Sequence, residues 1–421
     1  MPPHSKTATP PATVEVLVHC RRTAAVAKRI ADGLALPPGE QALLGAACRL
    51  HHHSVGLLAP KSVQRLLADV FGEAVPGHLP ADPVPGTVRE VLRAYEVPGS
   101  GGPQAARLGG ILRLADAFDQ DMEAQPITGK DPPEILEGLR GGVEAGLWTE
   151  EAMNALAEAI RPRAVDGLEF RRVPVFPQAA LRMLSLMRDP RASVVQVVKA
   201  ASLDPAAAGL LLQLANSALF GSRTPLSTLS RAITRLGFAT AQKVILSAAL
   251  RPLFGNPKLQ AAWPHSLEVA DLSEQLAAQA GGIDPAEAYL AGLIHDVGRI
   301  ALLALPLAEA ARLHALERDG CPPLYAETLT LGTDHAALGG QIVSEWRLPD
   351  HLVAAVRRHH QPEKADHRLA SLLYLAEFLS GSEEDLPSIV RLQGSLHGLG
   401  LAWDQVAEFT VSALGCWLAA A

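Results

Sequence analysis

An ordered series of imidazoles and carboxylates carries the chemistry that can be read in this chain. His265 comes first, in Trp263-Pro264-His265-Ser266, then the step His295-Asp296 inside Gly292-Leu293-Ile294-His295-Asp296-Val297-Gly298-Arg299. Asp334-His335 follows, then the pair His359-His360, then Glu377 in Leu375-Ala376-Glu377-Phe378. Neutral imidazole suits divalent iron, manganese, zinc or nickel, and a neighbouring carboxylate can bridge two cations and hold a water between them. Successive helical residues point about 100° apart. The His-Asp step therefore serves one or two metal ions only if other helices bring further ligands to the same point. The spaced histidines supply them, which makes His265, His295, Asp296, His335, His359, His360 and Glu377 the candidate metal set. Taken singly, each histidine reads more simply as a hydrogen-bonded imidazole of the core or surface; the ordered set is what gives the pattern its specificity.

Helices must position these groups. Among 421 residues only 4% are aromatic, Ala and Leu dominate, and β-branched runs are short, so an all-α protein is expected. The length allows two or three domains, each with its own core. A net charge of -7 and a pI of about 6.1 give no general pull toward nucleic acid or an anionic membrane. The basic cluster from Arg161 to Arg172 reads as a solvated linker. Cys20, Cys48, Cys321 and Cys416 lie far apart, with neither a disulfide framework nor a cysteine zinc spacing, which fits a reducing cytoplasm. The first twelve residues are rich in Pro and Thr and read as disordered, without an apolar signal core. No run reaches the length of an apolar membrane span. Secretion and membrane spanning are thus not expected.

Asp166-Gly167, Arg171-Arg172, Pro174 and Pro177 break the helical periodicity, which places a linker at 161–172. From Gln178 apolar residues return at helical spacing, with Leu181, Leu184 and Met187, then Val194, Val195, Val197 and Val198; Asp189-Pro190 and Asp204-Pro205 read as helix starts. The stretches Val173-Pro174-Val175-Phe176-Pro177, Leu214-Ala215-Asn216-Ser217-Ala218-Leu219-Phe220-Gly221 and Ala232-Ile233-Thr234-Arg235-Leu236-Gly237, with the His295-Asp296 motif and His359-His360, resemble the HDOD domain, a bacterial signalling module related to HD phosphohydrolases. The resemblance implies a helical bundle at 173–255 joined to an HD-like half at 256–380, with 381–421 as a helical appendage. Nothing activates Ser217 as a nucleophile. Asn216 reads as hydrogen-bonding exposed backbone at a helix end.

The first part of the chain carries a fainter version of the same pattern. His19 opens a helical run, and Ala46 to Gly56 can be laid over Ala288 to Gly298, which puts His53 at the position of His295 and Ser54 at that of Asp296. Ala94-Tyr95-Glu96-Val97-Pro98-Gly99-Ser100-Gly101-Gly102-Pro103 resembles the signature of HD-GYP phosphodiesterases, with Ala94 and Tyr95 in place of the paired histidines. Asp116, in Leu114-Ala115-Asp116-Ala117, matches that family's acid-bearing helix. The resemblance implies a second HD-like helical domain at 13–160 whose site is reduced to His19, His53 and Asp116, without catalysis or tight binuclear metal binding.

Together these likenesses imply a bacterial, cytoplasmic signal-transduction protein whose HDOD domain works by protein-protein contact, with other signalling proteins or a homodimer partner, and without catalysis. The alternative they leave is a metal-dependent phosphohydrolase acting on a nucleotide or cyclic dinucleotide, with Asp296 bridging the metals and Arg299 contacting phosphate; nucleotide binding without cleavage is a third reading. Against hydrolysis, the chain after His360 lacks the Gly-Tyr-Pro loop, and Glu377 stands where HD-GYP enzymes carry Asp. The bland alternative for the whole set is a vestigial site whose imidazoles hydrogen-bond one another in the core.

Overall fold

A computed structural model describes residues 11–52, 84–128, 130–161, 175–187, 189, 191–220, 225–260, 262–381, 389–407 and 409–412. Every regular element among them is helical, as composition predicts. The expected disordered segment lies outside the described residues apart from Pro11 and Ala12, and the expected linker apart from Arg161. The described residues form two compact units.

The first unit contains α1 (Pro11–Gly33), α2 (Pro38–Leu50), α3 (Gly86–Glu96), α4 (Pro103–Glu123), α5 (Pro132–Leu139) and α6 (Glu150–Ala159). Helix α1 packs on α2, α4 and α6, and α3 on α4. Ile30, Leu44, Leu50, Leu108, Phe118 and Leu156 are wholly buried between them. Pro306–Asp334, which the sequence places inside the HD-like half, also packs in this unit. The Arg29 guanidinium donates to the carbonyls of Leu329, at 3.2 Å, and Ala159, at 3.3 Å. Lys28 pairs with Asp319 at 2.6 Å. A cation satisfying carbonyls at two helix ends is favourable for the charge and for the otherwise unpaired acceptors.

The second unit begins with a bundle of α7 (Gln178–Met187), α8 (Val194–Ala201), α9 (Pro205–Ala215), α10 (Leu229–Leu236) and α11 (Phe238–Leu250). Helix α9 starts as the sequence predicts: Pro205 fills the first position and Asp204 Oδ1 accepts from Ala206 N at 2.8 Å. Of the expected start at Asp189-Pro190, Pro190 lies outside the described residues, and 191–193 are not helical. Helix α8 begins at Val194, because Ser193 and Gln196 form a capping box in which Ser193 N donates to Gln196 Oε1 at 2.8 Å and Gln196 N to Ser193 Oγ at 3.4 Å. Asn216 bonds backbone, as its position suggests, but at buried Leu226 ten residues on rather than at exposed backbone of a helix end. Its Nδ2 donates to Leu226 O at 2.9 Å and its Oδ1 accepts from Leu226 N at 2.7 Å, so one amide clamps both backbone groups of a buried residue.

The HD-like half follows with α12 (Ala262–Ala280), α13 (Pro285–Ile294), α14 (His335–Glu345), α15 (Asp350–Arg357), α16 (Arg368–Leu379) and α17 (Ile389–Leu399). Helix α12 packs along α13 and α16, and α15 lies against α14 and α16. Helix α17, in the stretch read as an appendage, is bound to this half. Arg368 donates to Gly398 O at 3.0 Å, Leu399 O at 2.8 Å and Gly281 O at 3.0 Å, so its charge meets the carbonyl ends of α17 and α12 together.

Removing the Asn216 amide would leave the Leu226 N–H and C=O without partners. Asn216→Ala is expected to lower stability by about 1–3 kcal/mol, read as a lower urea midpoint at unchanged slope.

Candidate metal centre

Seven side chains predicted to form a metal set come together in the second unit. Helix α13 starts at Pro285 under an Asp284 cap and ends at Ile294, with His295 as its C-cap. His295 Nδ1 lies 2.8 Å from Gly292 O. A carbonyl only accepts, so Nδ1 carries the proton and the Nε2 lone pair points inward. His359, just beyond α15, repeats the arrangement, with Nδ1 2.7 Å from Val356 O. Both Nε2 atoms face Asp296 Oδ1, at 3.6 Å for His295 and 4.0 Å for His359.

Glycines set the approach of the helices. A Cβ at Gly292 would lie 2.4 Å from Ala270 Cα, so α13 crosses α12 in backbone contact, and the His265 ring sits 5.2 Å from that of His295. A Cβ at Gly298 would fall 1.8 Å from His335 O and 2.5 Å from Gly339 N. The turn after the His-Asp step therefore rests directly on the start of α14, where His335 Nε2 is 3.2 Å from Asp296 Oδ1 and 3.0 Å from His360 Nε2. Glu377 enters from α16, with Oε2 3.6 Å from His360 Nδ1. Ligand atoms of His295, Asp296 and His359, of His335, His359 and His360, and of His265, His295 and Glu377 each converge within 4.8 Å.

Electrostatics favours ligation over protonation. Burial pushes the His295 imidazolium down to about 4, with the Asp296 charge only partly opposing it. His359 and His360 are lowered well below the usual range, first by burial and then by neighbouring imidazoles. Burial would raise the Asp296 carboxyl, but Arg299 first, then His295 and His335, hold it well below the usual range. The Nε2 atoms of His265, His295 and His359 are buried without a hydrogen-bond partner. Unpartnered buried imidazole nitrogens beside an ionised carboxylate are the donor set a divalent iron, manganese, zinc or nickel ion would complete.

Residues 173–362 match the HDOD domain family. This part of the chain is an HDOD domain. The chain is 23% identical over 227 residues to an uncharacterized protein of Treponema pallidum (strain Nichols), covering 53% of this chain and 43% of that protein. With ribonuclease Y of Opitutus terrae it shares 25% identity over 182 residues, 42% of this chain and 30% of that enzyme. It thus spans less than half the length of these curated relatives. The solved structure of an HDOD domain protein from Geobacter sulfurreducens is similar with a TM-score of 0.48 at 20% identity, covering 59% of this chain and 88% of that one.

The residues expected at the front of the chain are only partly those the structure brings together. His19 on α1 and Asp116 on α4 meet, with His19 Nε2 3.0 Å from Asp116 Oδ1. His53 lies outside the described residues, and the histidines beside His19 are His51 and His52. Helix α2 ends at Leu50 with His51 as its cap, as α13 ends at Ile294 with His295, and His51 Nδ1 is 2.6 Å from Cys48 O. His51 therefore stands where His295 stands in the HDOD domain, and His52 where Asp296 stands. The overlay through Gly56 and Gly298 was two residues out of register, because the helix end and not the glycine fixes the ring. Asp116 is also better partnered than expected, accepting from Tyr95 OH at 2.7 Å and Gln120 Nε2 at 3.0 Å. Sequence reading missed Asp119, which accepts from His19 Nδ1 at 2.7 Å and Arg22 Nε at 2.8 Å. Its spacing of three from Asp116 on one helix was the available signal. Burial lowers the His19 imidazolium, but Asp116 and Asp119 outweigh it and hold its pKa at about 9.

Two measurements test this geometry. Gly298→Ala is expected to lower the urea midpoint by the equivalent of about 1–3 kcal/mol, whereas Gly394→Ala, where a Cβ meets nothing, leaves it level or raises it. With chelator present, stability is expected to fall with acid. The unfolded chain binds protons at His295 near 6.5 and the folded chain only near 4, so stability is present above 6.5 and is lost as pH falls toward 4. Urea midpoints between pH 7 and 4 read this directly.

Proposed function

We propose that the chain is a cytoplasmic bacterial signal-transduction protein whose HDOD domain acts through contacts with other signalling proteins, the His295-Asp296 centre holding one or two divalent ions within the core without turnover. On this reading the first unit is a catalytically silent relative of HD-GYP phosphodiesterases. Burial of the centre carries the proposal. His295 and His359 are 0% exposed, and Asp296 and His335 are 1% exposed. Metal-assisted hydrolysis needs a phosphoester oxygen and an attacking water at the ion, which burial of these four side chains disfavours. Arg299, the expected phosphate contact, instead places Nε 2.7 Å from Asp296 Oδ2.

The bundle offers surface for the contacts. Leu181 and Val195, read from the sequence as ordinary helical spacing, are 42% and 64% exposed, and Leu203 is 56% exposed, while Ala180, Met183 and Leu186 face the core. Leu181, Val198 and Leu203 share one groove with Arg182 and Lys199. Apolar side chains grouped with cations at the surface favour recognition of another protein.

The convergence of the whole ligand set favours one second reading, a metal-dependent phosphohydrolase acting on a nucleotide or cyclic dinucleotide. Metal analysis of protein purified without chelator, paired with hydrolysis of bis(p-nitrophenyl) phosphate, mononucleotides and cyclic di-GMP by native protein and Asp296→Asn, separates the two. Bound metal, no turnover above buffer, and a captured partner lost on Leu181→Glu or Leu203→Glu are expected. Turnover abolished by Asp296→Asn would replace the contact reading with the hydrolase.

A further inference from the structure

The histidine cluster of the first unit is unused by the function proposed above, and its ring nitrogens converge with a carboxylate. His19 Nδ1 faces a carboxylate oxygen of Asp119 at 2.7 Å, and His51 Nδ1 faces Cys48 O at 2.6 Å. Both partners only accept, so both Nδ1 atoms carry protons and both Nε2 atoms turn inward. There they lie 3.1 Å apart, with Asp116 Oδ1 3.0 Å from the first and 3.5 Å from the second. Three potential ligand atoms thus converge on one point, where a metal ion would take the place of any proton held between His19 and Asp116. A fourth donor atom comes from His52, within 4.8 Å of the other three.

We propose that His19, His51, His52 and Asp116 form a mononuclear, four-coordinate divalent metal site, with zinc as the ion it fits. Tetrahedral zinc with bonds of roughly 2.0–2.1 Å sets its ligand atoms about 3.3 Å apart, and 3.0, 3.1 and 3.5 Å bracket that separation. The groups behind the ligands are those a metal histidine site requires. Asp119 orients His19 and is itself gripped by Arg22, through Nε at 2.8 Å and NH2 at 3.1 Å. Cys48 O orients His51. Tyr95 OH and Gln120 Nε2 fix the outer oxygen of Asp116 at 2.7 and 3.0 Å. His52 explains why one ion is held here. It occupies the place that Asp296 has in the HDOD domain, and an imidazole ring nitrogen ends one bond to a metal where a carboxylate can bridge two. Three nitrogens and one oxygen also suit zinc better than magnesium or calcium. His51, Asp116 and His19 are 4%, 5% and 8% exposed, while His52 is half-buried.

The test uses the full chain, stripped by chelator and reloaded with cobalt(II) or zinc. In an Asp296→Asn background, which removes the central carboxylate of the second unit's centre, one equivalent of metal with an intense four-coordinate cobalt spectrum that depends on the first unit's ligands is expected. His52→Gln and Asp116→Asn should each abolish that spectrum and the equivalent of metal, while His397→Gln changes neither. Thermal unfolding of the chelated proteins checks that the variants fold. Should a variant fail to fold, nitrogen-15 NMR of the reloaded native chain decides: a metal-bound Nε2 on His19 supports the site, and protons on both His19 nitrogens overturn it. Metal binding unaffected by His52→Gln and Asp116→Asn, or a six-coordinate cobalt spectrum, also overturns it.

Discussion

Three histidines in this chain end a helix in the same way, each donating its Nδ1 proton to the carbonyl three residues earlier: His51 to Cys48, His295 to Gly292 and His359 to Val356. The last carbonyls of a helix have no intrahelical partner, so an imidazole placed there takes one of them and loses both its tautomeric choice and its rotational freedom. Its Nε2 is then aimed by the backbone. Burial keeps His295 and His359 neutral, so the aimed atom is a lone pair available to a metal. The other helices of the HD-like half bring further groups to where those lone pairs point. Gly292 lets α12 deliver His265, and Gly298 lets α14 deliver His335.

That dependence on local geometry explains what the sequence made legible. Helix content, the Asp204 cap, the Asn216 clamp and the seven members of the centre are all properties of residue type and near-neighbour order, and the structure brings the seven together. The register of the front copy was not legible in the same way. Gly56 and Gly298 matched as letters, but the ring is placed by the helix end, and α2 closes at Leu50 with its capping histidine one residue on. Asp119 was hidden for a different reason. A buried carboxylate beside another reads as redundancy until His19 is seen to lie between them, 2.7 Å from one and 3.0 Å from the other.

The placement of Pro306–Asp334 was beyond sequence reading altogether. Its two helices have ordinary periodicity, and nothing in them announces packing with α1. What fixes them are contacts across some 300 residues of chain, the Arg29 guanidinium on Leu329 O and the Lys28–Asp319 pair. Such contacts depend on which charges are left over once each unit has formed, and no local pattern encodes that. The exposed apolar residues of α7 and α8 pose the same problem in reverse. Their spacing is that of a core face, yet Met183 and Leu186 lie inside while Leu181, nearly opposite them around the helix, is in solvent.

A single position then separates the chemistry of two similar frames. In the HDOD domain the residue after the capping histidine is Asp296, whose two oxygens face different groups: Oδ1 is 3.2 Å from His335 and Oδ2 is 2.7 Å from Arg299. A carboxylate there carries charge into the middle of the ligand set and has a second oxygen to share. In the first unit the same place holds His52, which carries no charge when neutral and has one donor nitrogen to offer inward, so the only anion in the inner set is Asp116. Asp119, one layer out, restores negative charge without entering the set. The first frame thus keeps the aim of its imidazoles but has, at that place, no carboxylate whose two oxygens two ions could share.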